Sequence, residues 1–147
     1  MENKVRVKKL DVNAKLPTYG SNGAAGADLY ACMPETVTIP SGESVWISTG
    51  IALEVPEGCV GLVYARSSLG VKRGLAPANK VGVIDSDYRG EIKVVLFNHS
   101  KLPQTVEPGE RIAQFLITPV FTPEYVESEE LSDTERAGGG FGSTGRV

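Results

Sequence analysis

Val45-Trp46-Ile47-Ser48-Thr49, Ile51-Ala52-Leu53-Glu54-Val55 and Val60-Gly61-Leu62-Val63-Tyr64 follow one another, with Pro56-Glu57-Gly58 breaking the chain before the third run. β-Branched and aromatic residues dominate these runs, and their polar and apolar positions alternate with the period of a pleated strand, not that of a helix. The same texture extends outward. Val5-Arg6-Val7-Lys8-Lys9-Leu10 and Thr36-Val37-Thr38-Ile39 precede it, Ile92-Lys93-Val94-Val95-Leu96-Phe97 and Ile112-Ala113-Gln114-Phe115-Leu116-Ile117 follow, and Pro40-Ser41-Gly42 and Glu107-Pro108-Gly109 punctuate. Short strands separated by turn residues predict an all-β chain folded as an antiparallel, jelly-roll-like sandwich or barrel. One short helix is expected, with Ser67 and Ser68 capping a turn or two through Leu69-Gly70-Val71-Lys72.

At 147 residues and 41% hydrophobic content, the chain suits one domain with a core of its own. That domain is expected over residues 1–123. Past Pro123 come Glu124, Glu127, Glu129, Glu130, Asp133 and Glu135, so residues 124–147 read as an acidic, solvated linker and a glycine-rich tail. No apolar run approaches the about 20 residues that span a bilayer, and Met1-Glu2-Asn3-Lys4-Val5-Arg6 lacks the apolar core of a signal peptide. A soluble, intracellular, cytoplasmic protein without membrane contact is expected. A net charge of −3 argues against a general attraction to nucleic acid, so any anion must be bound locally.

Cys32 and Cys59 make no CxxC pair and are expected to pack as small hydrophobes. Asn98-His99-Ser100 matches a glycosylation sequon, which carries no weight without a secretory signal. His99 is the single histidine, which excludes most His-based triads and His-ligated metal sites and leaves carboxylates as acid/base groups.

Five segments carry chemistry. Ala65-Arg66-Ser67-Ser68-Leu69-Gly70 sets a guanidinium and two hydroxyls where a strand turns into the short helix, which suits either a phosphate or plain N-capping. Val81-Gly82-Val83-Ile84-Asp85-Ser86-Asp87-Tyr88-Arg89-Gly90 ends an apolar run in a carboxylate. A carboxylate at such a rim is expected to be partly desolvated and suited to deprotonating water, although an Asx-type turn reads equally well. Ala24-Ala25-Gly26-Ala27-Asp28-Leu29-Tyr30-Ala31 is weak alone, and in Arg111-Ile112-Ala113-Gln114 only Arg111 and Gln114 stand out from a core strand. Between Arg136 and Arg146, glycines, Ser143, Thr144 and a lone Phe141 read either as a phosphate clamp with an aromatic that covers a flat ligand or as a disordered C-terminal tail. Gly140 to Gly145 also spells GxGxxG, but no strand precedes it and no helix follows, so a dinucleotide fold is set aside.

Taken together and in order, AGADLYA, ARSSLG, NKVGVIDSDYRG, RIAQFLI and RAGGGFGSTG make the chain closely resemble the homotrimeric dUTPases, the deoxyuridine triphosphate nucleotidohydrolases, over essentially its whole length. The resemblance implies hydrolysis of dUTP to dUMP and pyrophosphate, which keeps uracil out of DNA and supplies dUMP for thymidylate synthesis. It implies Asp85 as the general base that activates water against the α-phosphorus. Tyr88 would pack on the deoxyribose, and Asn79 with backbone of a hairpin from about Leu75 to Val83 would read uracil. Arg66, Ser67, Ser68 and Gln114 would hold phosphates. Arg136, Gly142, Ser143 and Thr144 would close on the triphosphate with Phe141 over the base, from a different subunit than Asp85. Mg²⁺ would ride mainly on the triphosphate, with Asp28 near it through water. Many members carry Gly where this chain has Ser68.

Two other readings compete. The dCTP deaminases share the fold and an RSSL segment, but their catalytic glutamate falls where this chain has Val95, which relays no protons. A non-catalytic trimeric β scaffold has no need of Asp85, Tyr88, Arg136 and Phe141 together.

Overall fold

The computed structural model describes residues 4–145. Its strands are β1 (Val7–Lys9), β2 (Thr18–Tyr19), β3 (Ala27–Tyr30), β4 (Val37–Ile39), β5 (Ser44–Ser48), β6 (Ile51–Leu53), β7 (Cys59–Tyr64), β8 (Leu75–Pro77), β9 (Gly82–Ile84), β10 (Lys93–Asn98), β11 (Gln104–Val106) and β12 (Arg111–Pro119). The one helix among the described residues, α1 (Ser67–Lys72), lies between β7 and β8. All pairings are antiparallel: β1 with β6, β4 with β11, a three-stranded sheet β5-β10-β8, and a five-stranded sheet β2-β3-β12-β7-β9. The architecture is the expected all-β jelly roll. Its sheets stay open; none closes on itself as a barrel.

The alternation read from the sequence is the alternation of burial. In β7, Cys59, Gly61 and Val63 face inward while Val60, Leu62 and Tyr64 stay half-buried. Leu29, Ile47, Ile51, Ile92, Leu96 and Ile112 are fully enclosed in one shared core, each contributing about 1.5–3 kcal/mol by leaving water. Gly61 is required at its place because the Phe115 ring of β12 lies over it; a Cβ there would stand 2.8 Å from the ring's Cε2.

Two expectations change, and one is strengthened. Ser67 and Ser68 do not cap α1; the N-cap is Arg66 in extended backbone without a side-chain cap, and the serines form the first turn. Residues 75–83 are no hairpin, since β8 pairs with β10 and β9 with β7, and a turn at Lys80 (φ 68°) carries the chain between two sheets. Asn98 is fully buried, with its amide donating to Ile39 O and Leu102 O and its Oδ1 accepting from Ser100, so it serves as an internal tie and is closed to glycosylation. Both cysteines are free thiols, and Cys59 is buried whereas Cys32 is partly exposed at the core edge.

Past Pro119 the described residues form no strand or helix and are exposed almost throughout. Local turns organise them, with positive φ at Ala137, Phe141, Gly142 and Gly145. Among the described residues no helix is long and apolar enough to cross a membrane.

Candidate active site

Strand register assembles the first cluster. Gln114 on β12 stands opposite both Asp28 on β3 and Tyr64 on β7, so residues distant in sequence meet in one row across the sheet just before the chain enters α1. Gly26 leaves room for Gln114, whose Nε2 donates to Ala65 O at 2.9 Å and so holds the approach to the helix. Asp28 is buried, at 8% exposure, and sits between two guanidiniums: Arg66 Nε at 2.7 Å from Oδ1 and Arg111 Nη1 at 3.3 Å from Oδ2. Arg66 Nη1 also donates to Ser68 Oγ and to Arg111 O, each at 3.4 Å. An open pocket of ≈ 480 Å³ adjoins, lined in part by Arg66, Ser68, Lys72, Arg73 and Arg111. Two guanidiniums against one carboxylate leave a positive surplus beside hydroxyls, which is a setting for phosphate oxygens.

A second cluster lies on the loop after β9. A groove of ≈ 490 Å³ is lined by Trp46, Val83, Ile84, Asp85, Tyr88, Glu91 and Lys93. Asp85 is exposed, so the partial desolvation expected at the end of β9 is not present in the single chain. The turn is tight: Tyr88 N donates to Asp85 O at 3.2 Å, and Tyr88 Oη donates to Glu91 O at 3.0 Å. That second bond folds the ring over Gly90, where a Cβ would stand 2.6 Å from Tyr88 Cζ. Asn79 is exposed in the β8–β9 turn, and its Nδ2 lies beside Gly82.

The two clusters stand at opposite ends of β7. Ile84 pairs with Gly61 and Gln114 with Tyr64, so their rows are separated by roughly 10 Å at about 3.3 Å per residue. Asp85 continues in the direction away from Tyr64. The described residues of the tail join neither cluster: Arg136 Nε donates to Gly139 O within its own turn, and Phe141, Ser143 and Thr144 are exposed. Arg146 lies outside the described residues.

The family model for dUTPase matches residues 12–145 of this sequence. The chain belongs to the dUTPase family. It is 51% identical to the deoxyuridine 5'-triphosphate nucleotidohydrolase of Hydrogenobaculum sp. over 97% of this chain and 98% of that protein, and 49% identical to that of Desulfitobacterium hafniense over the same shares. Among solved structures, the dUTPase of Staphylococcus bacteriophage 80alpha with dUPNHPP superimposes with a TM-score of 0.89 at 32% identity, covering 98% of this chain and 99% of that one. A mutant dUTPase from phage phi11 of S. aureus, described with a structural Mg(II) ion, has a TM-score of 0.79 at 28% identity, covering 89% of this chain and all of that one.

For this dUTPase-family chain, the structure thus groups Asp28, Arg66, Ser68 and Gln114 at one end of β7 and Val83, Asp85 and Tyr88 at the other. The sequence singles out Arg111 without giving it a role in the site, and Lys72, Arg73, Trp46, Glu91 and Lys93 were not expected there. A signal for Arg111 was present: Ile112-Ala113 puts two buried residues in succession and so breaks the strand's alternation. Among the described residues no three His, Cys, Asp or Glu gather as a metal cage. Both Asp28 oxygens already face guanidiniums, so this residue set fits a divalent ion carried by phosphate oxygens and met by Asp28 only through water.

Proposed function

We propose that this chain hydrolyses dUTP to dUMP and pyrophosphate at sites shared between the subunits of a homotrimer in the cytoplasm, so limiting uracil in DNA and supplying dUMP. The observation that carries this reading is the division of labour along β7: an exposed carboxylate beside an aromatic edge at one end, a cationic hydroxyl-bearing cluster at the other. A hydrolase for a nucleoside triphosphate needs both. Because Asp85 heads away from the cluster of its own chain, the cluster that serves it belongs to a neighbouring copy.

In that site Asp85 accepts a proton from a water positioned against the α-phosphorus. A carboxylate that is open in the single chain becomes screened from solvent once a second subunit and the nucleotide cover it. Tyr88, held over Gly90 by its bond to Glu91 O, packs on the deoxyribose and leaves no room for a 2′-hydroxyl. Asn79 and the backbone of residues 75–83 read the edge of uracil, and a wrong base leaves those polar groups unpaired. Arg66, Ser67, Ser68 and Gln114 hold phosphate oxygens. Residues 124–147 form a linker and tail beside the domain of residues 1–123, with Phe141 over the base and Arg136, Gly142, Ser143 and Thr144 around the phosphates. Asp28 would hold Mg²⁺ through water, and the ion would supply neutralisation of charge on the triphosphate oxygens.

The test is pyrophosphate release from dUTP beside dCTP, dTTP and UTP. Turnover of dUTP with the other three poor is expected; equal turnover of dCTP and dUTP overturns the proposal. The half-buried Val95 gives no support to deamination.

A further inference from the structure

We infer that Arg111 is a positioning residue for the phosphate end of the site: it keeps the buried Asp28 carboxylate paired, so that Arg66 is free to turn from Asp28 onto a phosphate group. The inference rests on the proposed nucleotide hydrolysis. Its physical basis is the way the two guanidiniums divide one carboxylate, each taking a separate oxygen. Arg66 reaches Oδ1 through a single nitrogen, and its Nη1 contacts are long, at 3.4 Å. If Arg66 left a carboxylate that had no second partner, an unpaired charge would remain buried, which is strongly unfavourable. Arg66 would then stay where it is. With Arg111 on the other oxygen, Asp28 remains compensated and the Arg66 fork can be spent on the ligand.

The strand is built to deliver Arg111 there. Arg111 pairs with Tyr30 and Ala113 with Leu29, so two steps along β12 match one along β3. This bulge takes Ile112 into the core and turns Arg111 to the face that carries Asp28, Tyr30 and Gln114. In an unbroken strand Ile112 would share the face of Gln114, and Arg111 would point to the other side. The half-exposed Arg111 side chain also lines the pocket next to Ser68 and Lys72.

The experiment is calorimetric titration of the full chain with dUpNHpp in the presence of Mg²⁺, comparing Arg111→Ala, Arg111→Lys, Asp28→Asn and the Arg111→Ala/Asp28→Asn double variant. Arg111→Ala should weaken binding roughly tenfold, as expected for losing a charge-assisted contact, and Arg111→Lys should recover most of it. In the Asp28→Asn background no charge needs a keeper, so adding Arg111→Ala should change affinity by less than about twofold. A tenfold loss that persists in that background overturns the inference, because Arg111 would then be touching the ligand itself. If Arg111→Ala does not fold, as judged by its thermal transition, Arg111→Gln takes its place in the same cycle. A parent chain that neither binds the analogue nor releases pyrophosphate from dUTP overturns the proposed function. A parent that does both, with Arg111→Ala binding equally well, overturns the positioning role alone.

Discussion

Gly90→Ala should impair sugar selection without touching any group that contacts phosphate. The backbone tolerates alanine, since Gly90 is not among the glycines with positive φ. The side chain does not fit. Its Cβ would stand 2.6 Å from Tyr88 Cζ and 3.0 Å from Cε2, whereas ordinary contact begins at 3.4 Å. The ring must therefore retreat by about 1 Å, giving up its bond to Glu91 O, and a misplacement of about 1 Å in a positioning group costs on the order of 10²-fold in rate. Measured as kcat/KM from pyrophosphate release, dUTP hydrolysis should fall roughly 10- to 100-fold. UTP hydrolysis should fall less, so that the preference for the deoxy sugar narrows. The thermal transition should scarcely move, because the turn is exposed and Gly90 lies outside the core. An unchanged ratio of dUTP to UTP turnover would refute the link between the Tyr88 seat on Gly90 and the sugar.

Asp85→Asn should lower turnover by roughly 10² to 10⁴ fold while dUpNHpp still binds, and near-normal turnover would move the base to Asp87. Phe141→Ala should weaken analogue binding by about 1–3 kcal/mol; hydrogen exchange over residues 136–145 that is indifferent to the analogue would remove the tail from the site. Burial, followed by the neighbouring Asp11 carboxylate, pushes the Cys32 thiol above its ordinary range. The folded chain therefore keeps that proton longer than the unfolded one, so this contribution is intact below the ordinary thiol range and fades as pH rises past it. Urea unfolding at about pH 7 and about pH 10 should show a fall that Cys32→Ala lessens, and an equal fall in both chains would contradict it.

Strands with several alternating residues were legible because their alternation is their burial. β7 and β10 were expected within a residue or two of where they lie. β2, β3 and β11 were not, for two to four residues are too few to show a period, and their pairing is set by neighbours far along the chain. The same reason hid the separation of β8 from β9: their spacing allows a hairpin, and only the competing edges of β10 and β7 decide otherwise. Ser67 and Ser68 carry capping chemistry, yet the β-like backbone of Arg66 starts the helix one residue earlier. Site residues were recognisable as motifs, but their grouping was not. Asp28, Arg66 and Arg111 meet through register and a bulge, which no linear spacing encodes.

The most direct test of a site divided between chains is complementation. Asp85→Asn and Arg66→Ala chains, each nearly inactive alone, are co-refolded in equal amounts and heterotrimers are verified by native mass spectrometry. If base and phosphate cluster come from different copies, random assembly should restore roughly a quarter of the sites, and about that share of parent activity in dUTP turnover. If heterotrimers form and turnover stays at the level of the separate variants, both groups serve the site from one chain and the account is contradicted.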